Sequence, residues 1–173
     1  RADTLCEIND EFIELLVRVG VKRLVMGVES GNQRVLNLLN KRIKLEQVLE
    51  ANRKLIPYPI KPAYLFMMGL PTETPEELKQ SIQFAEKLIK ENPKATRTFN
   101  VYTPYPGTEL YKMAVQHGLR EPASLLEWTR FNYHRIFTES PWILPERKRI
   151  VKVMNYALMC SKHDNAFGGF RRQ

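Results

Sequence analysis

The stretch Gly27-Val28-Glu29-Ser30-Gly31 sets a carboxylate beside a hydroxyl in a turn bounded by glycines. It follows the apolar run Leu24-Val25-Met26 and precedes a segment of helical pattern. A short apolar run flanked by turn residues reads as a strand buried on both faces. Parallel sheets place their ligands at the C-terminal ends of such strands. Glu29 and Ser30 are therefore expected to project from a strand end toward a site. The competing reading is local: an acidic first turn favours the next helix through its dipole.

The layout recurs at Phe66-Met67-Met68-Gly69-Leu70-Pro71-Thr72-Glu73-Thr74 and at Tyr102-Thr103-Pro104-Tyr105-Pro106-Gly107-Thr108. Each time an apolar or aromatic strand runs into a Gly/Pro turn, and a helix follows. Over about residues 1 to 130 these motifs, in this order, resemble the second half of a radical S-adenosylmethionine (SAM) enzyme barrel. The likeness is strongest to the cobalamin-associated Fe-S oxidoreductases of the anaerobic Mg-protoporphyrin ester cyclase type. The opening Arg1-Ala2-Asp3 fits the end of that family's third strand.

The resemblance implies a cofactor-binding set. Glu29 and Ser30 match the positions that contact the ribose or methionyl part of SAM, and a carboxylate can accept paired hydrogen bonds from vicinal hydroxyls. Met67, Met68 and Gly69 match the adenine ledge, although for Met67 core filling is at least as good an account. Tyr102 and Thr103 match backbone edges near adenine, with Pro104 beside them. Tyr105 could face the substrate or simply cap the rim. The resemblance also implies a 4Fe-4S cluster in the full-length enzyme, held by a CxxxCxxC loop. This chain has two remote cysteines, Cys6 and Cys160, and no such loop. The loop's place lies upstream of Arg1, and a cobalamin domain upstream is a further expectation. The chain thus reads as part of a longer protein, inactive alone, whose substrate is a small molecule of unknown identity.

Several elements must position these residues. Asn9 caps a helix whose Phe12, Leu15, Leu16 and Val19 share a face, and Gly20 ends it. A strand is expected over about 22–28. Helices carrying Val35, Leu36 and Leu39, and then Leu45, Val48, Leu49 and Leu55, follow. A second strand is expected over about 63–68. Thr74-Pro75-Glu76-Glu77 forms a capping box with proline at the first helical position, ahead of a stripe of Leu78, Ile82, Ala85 and Ile89. A third strand is expected over about 97–103. This alternation predicts parallel βα units in an α/β fold; the partial (βα) barrel, half of a six-stranded one, comes from the resemblance. Residues 1–118 form the half-barrel in this reading. Residues 119–173 form a helical cap or tail, with a capping box at Ser124, the aromatics Trp128, Phe131, Tyr133, Phe137 and Trp142, and a long helix after Pro145.

At 173 residues, 43% hydrophobic and 27% charged, the composition is that of a globular domain. No apolar stretch approaches a membrane span, and the sparse cysteines point to a cytoplasmic protein without a disulfide framework. The net charge of +8 raises nucleic acid as a partner. The basic residues, densest at Lys41-Arg42-Ile43-Lys44 and Arg147-Lys148-Arg149, lack interleaved aromatics and read as solvated faces. A non-enzymatic basic βα module for RNA or an acidic partner is the alternative function. A phosphate-binding barrel is disfavoured by the lack of a glycine-rich phosphate loop. His117, His134 and His163 lack a second ligand at metal spacing. The half-barrel's open edge is expected to self-associate or to pair with upstream segments of the same protein.

Overall fold

In the computed structural model, residues 9–130 and 140–143 are described. Asn9 Oδ1 accepts the Phe12 amide at 3.0 Å and opens α1 (Asp10–Arg18). The chain continues through β1 (Arg23–Glu29), α2 (Gln33–Leu38), α3 (Leu45–Lys54), β2 (Lys61–Met68), α4 (Pro75–Glu91), β3 (Thr96–Val101), α5 (Glu109–Gln116) and α6 (Leu125–Arg130). The strands form an open parallel sheet in the order β1-β2-β3, the expected α/β arrangement of a partial barrel.

The strand side chains alternate between faces. Met26 and Val28 of β1, Tyr64, Phe66 and Met68 of β2, and Phe99 and Val101 of β3 join the helix-side core. Phe66 stacks on Phe99 at 4.9 Å between ring centroids and meets Phe84 of α4 edge-on. A buried polar network braces this layer. Asn52 Nδ2 donates to the Leu88 carbonyl, Asn52 Oδ1 accepts from the Tyr64 hydroxyl, and Asn92 Nδ2 donates to the Asn52 carbonyl. Each polar group has a partner, so burial here carries no large desolvation cost. A second apolar cluster joins Val35, Leu70, Tyr102, Tyr111, Ala114 and Leu119, with Met67, Trp128 and Trp142 packed on it.

Two buried stripes differ from the sequence expectation. In α1, Ile13 is inward at 2% exposure, with Leu16 and Val17 against the core, whereas Phe12 and Leu15 are exposed and Val19 is 68% exposed. The helix carries two overlapping apolar stripes, and docking buries the one containing Ile13. In α4 the buried residues are Glu77, Ser81, Phe84, Ala85 and Leu88, while Leu78, Ile82 and Ile89 are only partly covered. The helix is turned so that Glu77 and Ser81 face the loop after β1. β3 also ends sooner than expected, leaving Tyr102 and Thr103 in the following loop. Arg1-Ala2-Asp3, Cys6, Phe131, Tyr133, Phe137, the helix after Pro145 and Cys160 lie outside the described residues.

Candidate functional site

Glu29 ends β1 with φ 75°, a left-handed conformation uncommon outside glycine, which surrounding contacts must hold. The β1–β2 register slips between Gly27 and Glu29, and this bulge re-aims the strand end. Lys41 supplies the fixing contacts: its Nζ donates to Glu29 Oε1 at 3.0 Å and to the Gly27 carbonyl at 3.1 Å. The carboxylate folds back over Gly27, where a Cβ would collide with Glu29 Oε1. Both charged side chains remain partly exposed. An acceptor and a donor thus stand side by side at the strand end, suited to a ligand bearing hydroxyls or paired opposite charges. The sequence reading left Lys41 in a solvated basic run. Its distance of 12 positions from Glu29 carries no periodic signal.

Ser30 does not project from the strand end. It is fully buried, its Oγ lies 3.0 Å from Ser81 Oγ, and it accepts the Asn32 amide at 3.1 Å. The Gly31 amide donates to the same Ser81 hydroxyl at 2.9 Å. A Cβ on Gly31 would lie 2.5 Å from Phe84 Cβ and 2.7 Å from Ser81 Cα, so only glycine permits this approach. One position further along, Asn32 Nδ2 donates to Gln80 Oε1. Its Oδ1 accepts the Val35 amide and caps α2. The loop after β1 is thereby sealed onto α4.

At the end of β2, Met68 is buried in the helix-side core, and its carbonyl accepts the Tyr102 amide at 2.8 Å. Met67 points to the opposite face and packs on the second cluster beside Tyr102. Gly69 takes φ 80°, its amide donates to Glu73 Oε2 at 2.7 Å, and its carbonyl accepts from Trp142 Nε1 at 3.0 Å. The Gly69 peptide is therefore held from both sides. Burial pushes the Glu73 carboxyl up to about 7, against the lowering effect of the Gly69 and Leu70 amides. Glu77 instead is held down at about 2, first by its hydrogen bonds from Arg34.

At the end of β3, Tyr102 is 4% exposed and its ring lies 6.3 Å from that of Trp142. Burial raises the pKa of its phenol. The Tyr102 hydroxyl, Thr103 Oγ1, Thr72 Oγ1 and Glu73 Oε1 are buried without a hydrogen-bond partner. Such orphans call for an explanation, and a ligand is one. Tyr105 is exposed at the rim.

Met67, Gly69 and Tyr102 are thus brought together, Glu29 stands at the neighbouring strand end with Lys41, and the side chains of Ser30 and Met68 turn away. These donors, acceptors and apolar surface fit SAM, which carries an amino-acid end, ribose hydroxyls and a purine. They do not fit an iron-sulfur cluster. Among the described residues no group of three or more His, Cys, Asp or Glu could hold a metal ion. His117 Nδ1 is engaged with the Met113 carbonyl at 2.8 Å.

Residues 3–85 match the Radical SAM superfamily. An uncharacterized methyltransferase of Pyrococcus horikoshii is 30% identical over 64% of this chain and 23% of its own length. The anaerobic magnesium-protoporphyrin IX monomethyl ester cyclase of Cereibacter sphaeroides is 24% identical over 72% of this chain and 19% of its own length. The chain spans about a quarter or less of these relatives. Coproporphyrinogen III oxidase from Escherichia coli, a radical SAM enzyme, shares the fold with a TM-score of 0.51 at 22% identity. The match covers 78% of this chain and 30% of that structure. Over residues 3–85, just under half of its length, this chain is similar to the Radical SAM superfamily.

Proposed function

We propose that this chain is the second half of a radical SAM barrel and forms the ribose and adenine side of the SAM site in a longer enzyme. The observation that carries this reading is the Glu29–Lys41 pair at the end of β1, one strand from the apolar ledge of Met67, Gly69 and Tyr102. Glu29 accepts hydrogen bonds from the ribose hydroxyls or the amino group of the methionyl end, and Lys41 holds its carboxylate in place. Met67 offers apolar contact to the purine. The Gly69 turn, held by Glu73 and Trp142, sets the position of this ledge, and Thr103 presents backbone and hydroxyl groups to the edge of the purine. Ser30 contributes by sealing its loop to α4 rather than through its own hydroxyl.

SAM bound at a reduced 4Fe-4S cluster supplies a 5′-deoxyadenosyl radical, or with cobalamin a transferable methyl group. The thiolates for that cluster belong to a part of the enzyme outside the described residues, and so would any cobalamin site. Modification of an unactivated carbon in a small molecule is the reaction class proposed. It is supported by the methyltransferase and ester cyclase named among the relatives. A reducing, cytoplasmic setting accords with this chemistry. The test is equilibrium binding of SAM to the full-length protein that contains this chain. Micromolar binding that Glu29→Gln weakens supports the reading, and no binding by the cluster-loaded protein overturns it.

A further inference from the structure

Arg34 lies in α2, on the segment between Glu29 and Lys41, and reaches across to the elements after β2. Its Nε and Nη2 pair with the two carboxylate oxygens of Glu77, the latter at 2.7 Å, and Nη2 also donates to the Thr72 carbonyl at 3.0 Å. Glu77 Oε2 at the same time accepts the Thr74 amide at 2.9 Å, closing the cap of α4. One guanidinium therefore grips both the first turn of α4 and the loop that leads into it. The neighbouring contacts across this seam, from Ser30, Gly31 and Asn32, reach α4 at Ser81 and Gln80 and do not touch that loop. The residue after Thr72 is Glu73, whose carboxylate holds the Gly69 amide.

We infer that Arg34 is a positioning residue for the cofactor site: it fixes the turn at residues 69–74 relative to the Glu29–Lys41 pair. The inference rests on the reading of this site as a SAM site. A ligand that spans two strand ends binds well only if their spacing is held to a fraction of an ångström. The β1–α2 unit carries the charged pair, the next turn carries the Gly69 ledge, and Arg34 joins them. Arg34 is 52% exposed beside a Glu77 that is 11% exposed, so the pair contributes to folding, and its reach to the Thr72 carbonyl adds a hold on the turn that pairing with Glu77 alone does not require. Its planar fork matches two carboxylate oxygens and a carbonyl at once, which a lysine cannot reproduce.

The test uses the full-length protein containing this chain, loaded with its cluster, as wild type, Arg34→Gln and Arg34→Lys. SAM affinity, thermal midpoint and amide exchange are measured on each. Arg34→Gln is expected to weaken SAM by roughly ten-fold, the scale of a small misplacement of binding groups. Exchange should speed up at residues 69–74, while the Ser81-held loop at 30–32 and the sheet stay protected. Arg34→Lys should recover part of the lost affinity through a single contact to Glu77. SAM binding by the wild type that Arg34→Gln leaves unchanged overturns the inference alone. Affinity lost only together with protection across the whole sheet also overturns it, since Arg34 would then support the fold and not the spacing. A wild-type protein that binds no SAM overturns the reading of the site itself, and the inference with it.

Discussion

The ammonium of Lys41 lies 3.0 Å from Glu29 Oε1 and 3.1 Å from the Gly27 carbonyl, so one cation fixes a side chain and the main chain at the end of β1. This explains how a non-glycine residue persists at φ 75°: the conformation directs the carboxylate back to a waiting donor. Because neither partner is fully buried, the pair can exchange contacts with a ligand without stranding a charge in an apolar medium.

Glu29→Gln should therefore weaken SAM binding by about ten-fold or more, since bonds to a charged acceptor contribute about 1.5 to 3 kcal/mol. Iron content should not change. Gly27→Ala is a second probe of the same geometry. Its methyl group would collide with Glu29 Oε1, the mobile end of a side chain, so the carboxylate must swing away while the backbone stays. Isothermal titration with SAM should show a loss for both variants, with a small change in thermal midpoint. Normal SAM affinity in Glu29→Gln with lowered stability would reduce Glu29 to a helix-dipole role.

Much of the frame was legible in the sequence because local rules operate where tertiary contacts do not compete. Thr74, Pro75 and Glu77 announced a helix start, and the reciprocal bonds are present: Glu77 N to Thr74 Oγ1 at 3.3 Å and Thr74 N to Glu77 Oε2 at 2.9 Å. Gly69, placed at the break after β2, does take a left-handed φ. The seam on α4 was hidden because apolar periodicity cannot register a serine and a glutamate that are buried for their hydrogen bonds. Ser30 read as a site residue for the same reason: a hydroxyl at a strand end looks alike whether it meets a ligand or Ser81. Lys41 was lost among neighbouring basic residues, since a contact made by a loop returning after α2 leaves no spacing signature.

The seam itself gives a stability prediction. Gly31→Ala places a methyl group 2.5 Å from Phe84 Cβ and 2.9 Å from the Gln80 carbonyl, and two of its three nearest neighbours are backbone atoms. Overpacking of this kind costs about 1 to 3 kcal/mol. Ser81→Ala leaves the Gly31 amide without its acceptor and should cost a similar amount, about 1 to 3 kcal/mol for an unsatisfied buried donor. Chemical denaturation measures both. Two variants as stable as the wild type would show that the loop does not dock on α4.

The isolated 173-residue chain is expected to self-associate. Among the described residues β1 and β3 each have one paired neighbour, β2, and Val25 of β1 is exposed close to an unpaired strand edge. The outer stripe of α1, with Phe12, Leu15 and Val19, adds uncovered apolar surface. Open edges of this character recruit other strands. Light scattering during gel filtration should report dimers or larger species that shift to monomer on dilution. A monomer that persists at high concentration would mean that the edge is covered within the chain.

Glu73, just before α4, and Glu77, in its first turn, predict opposite pH dependences. Glu73 has its carboxyl raised from 4.5 to about 7, first by burial, and its charged neighbours are Glu77, which raises it further, and Arg34, which lowers it. Below pH 4.5 the native and unfolded chains both hold this proton, and the contribution of the neutral carboxyl is fully present. Between pH 4.5 and about 7 the unfolded chain has released the proton and the native chain has not, so stability falls as pH rises, by at most about 1.4 kcal/mol per unit. Above about 7 the contribution is gone. Glu77 runs the other way: its folded value of about 2 makes the pairing with Arg34 fully effective above 4.5 and lost as pH falls toward 2. Thermal midpoints from pH 4.5 to 8 should therefore show the wild type losing its advantage over Glu73→Gln as pH rises, because the amide keeps the acceptor for Gly69 but cannot ionise. Parallel profiles for the two proteins would mean that Glu73 is ionised throughout that range and that its buried oxygen has a partner in solution.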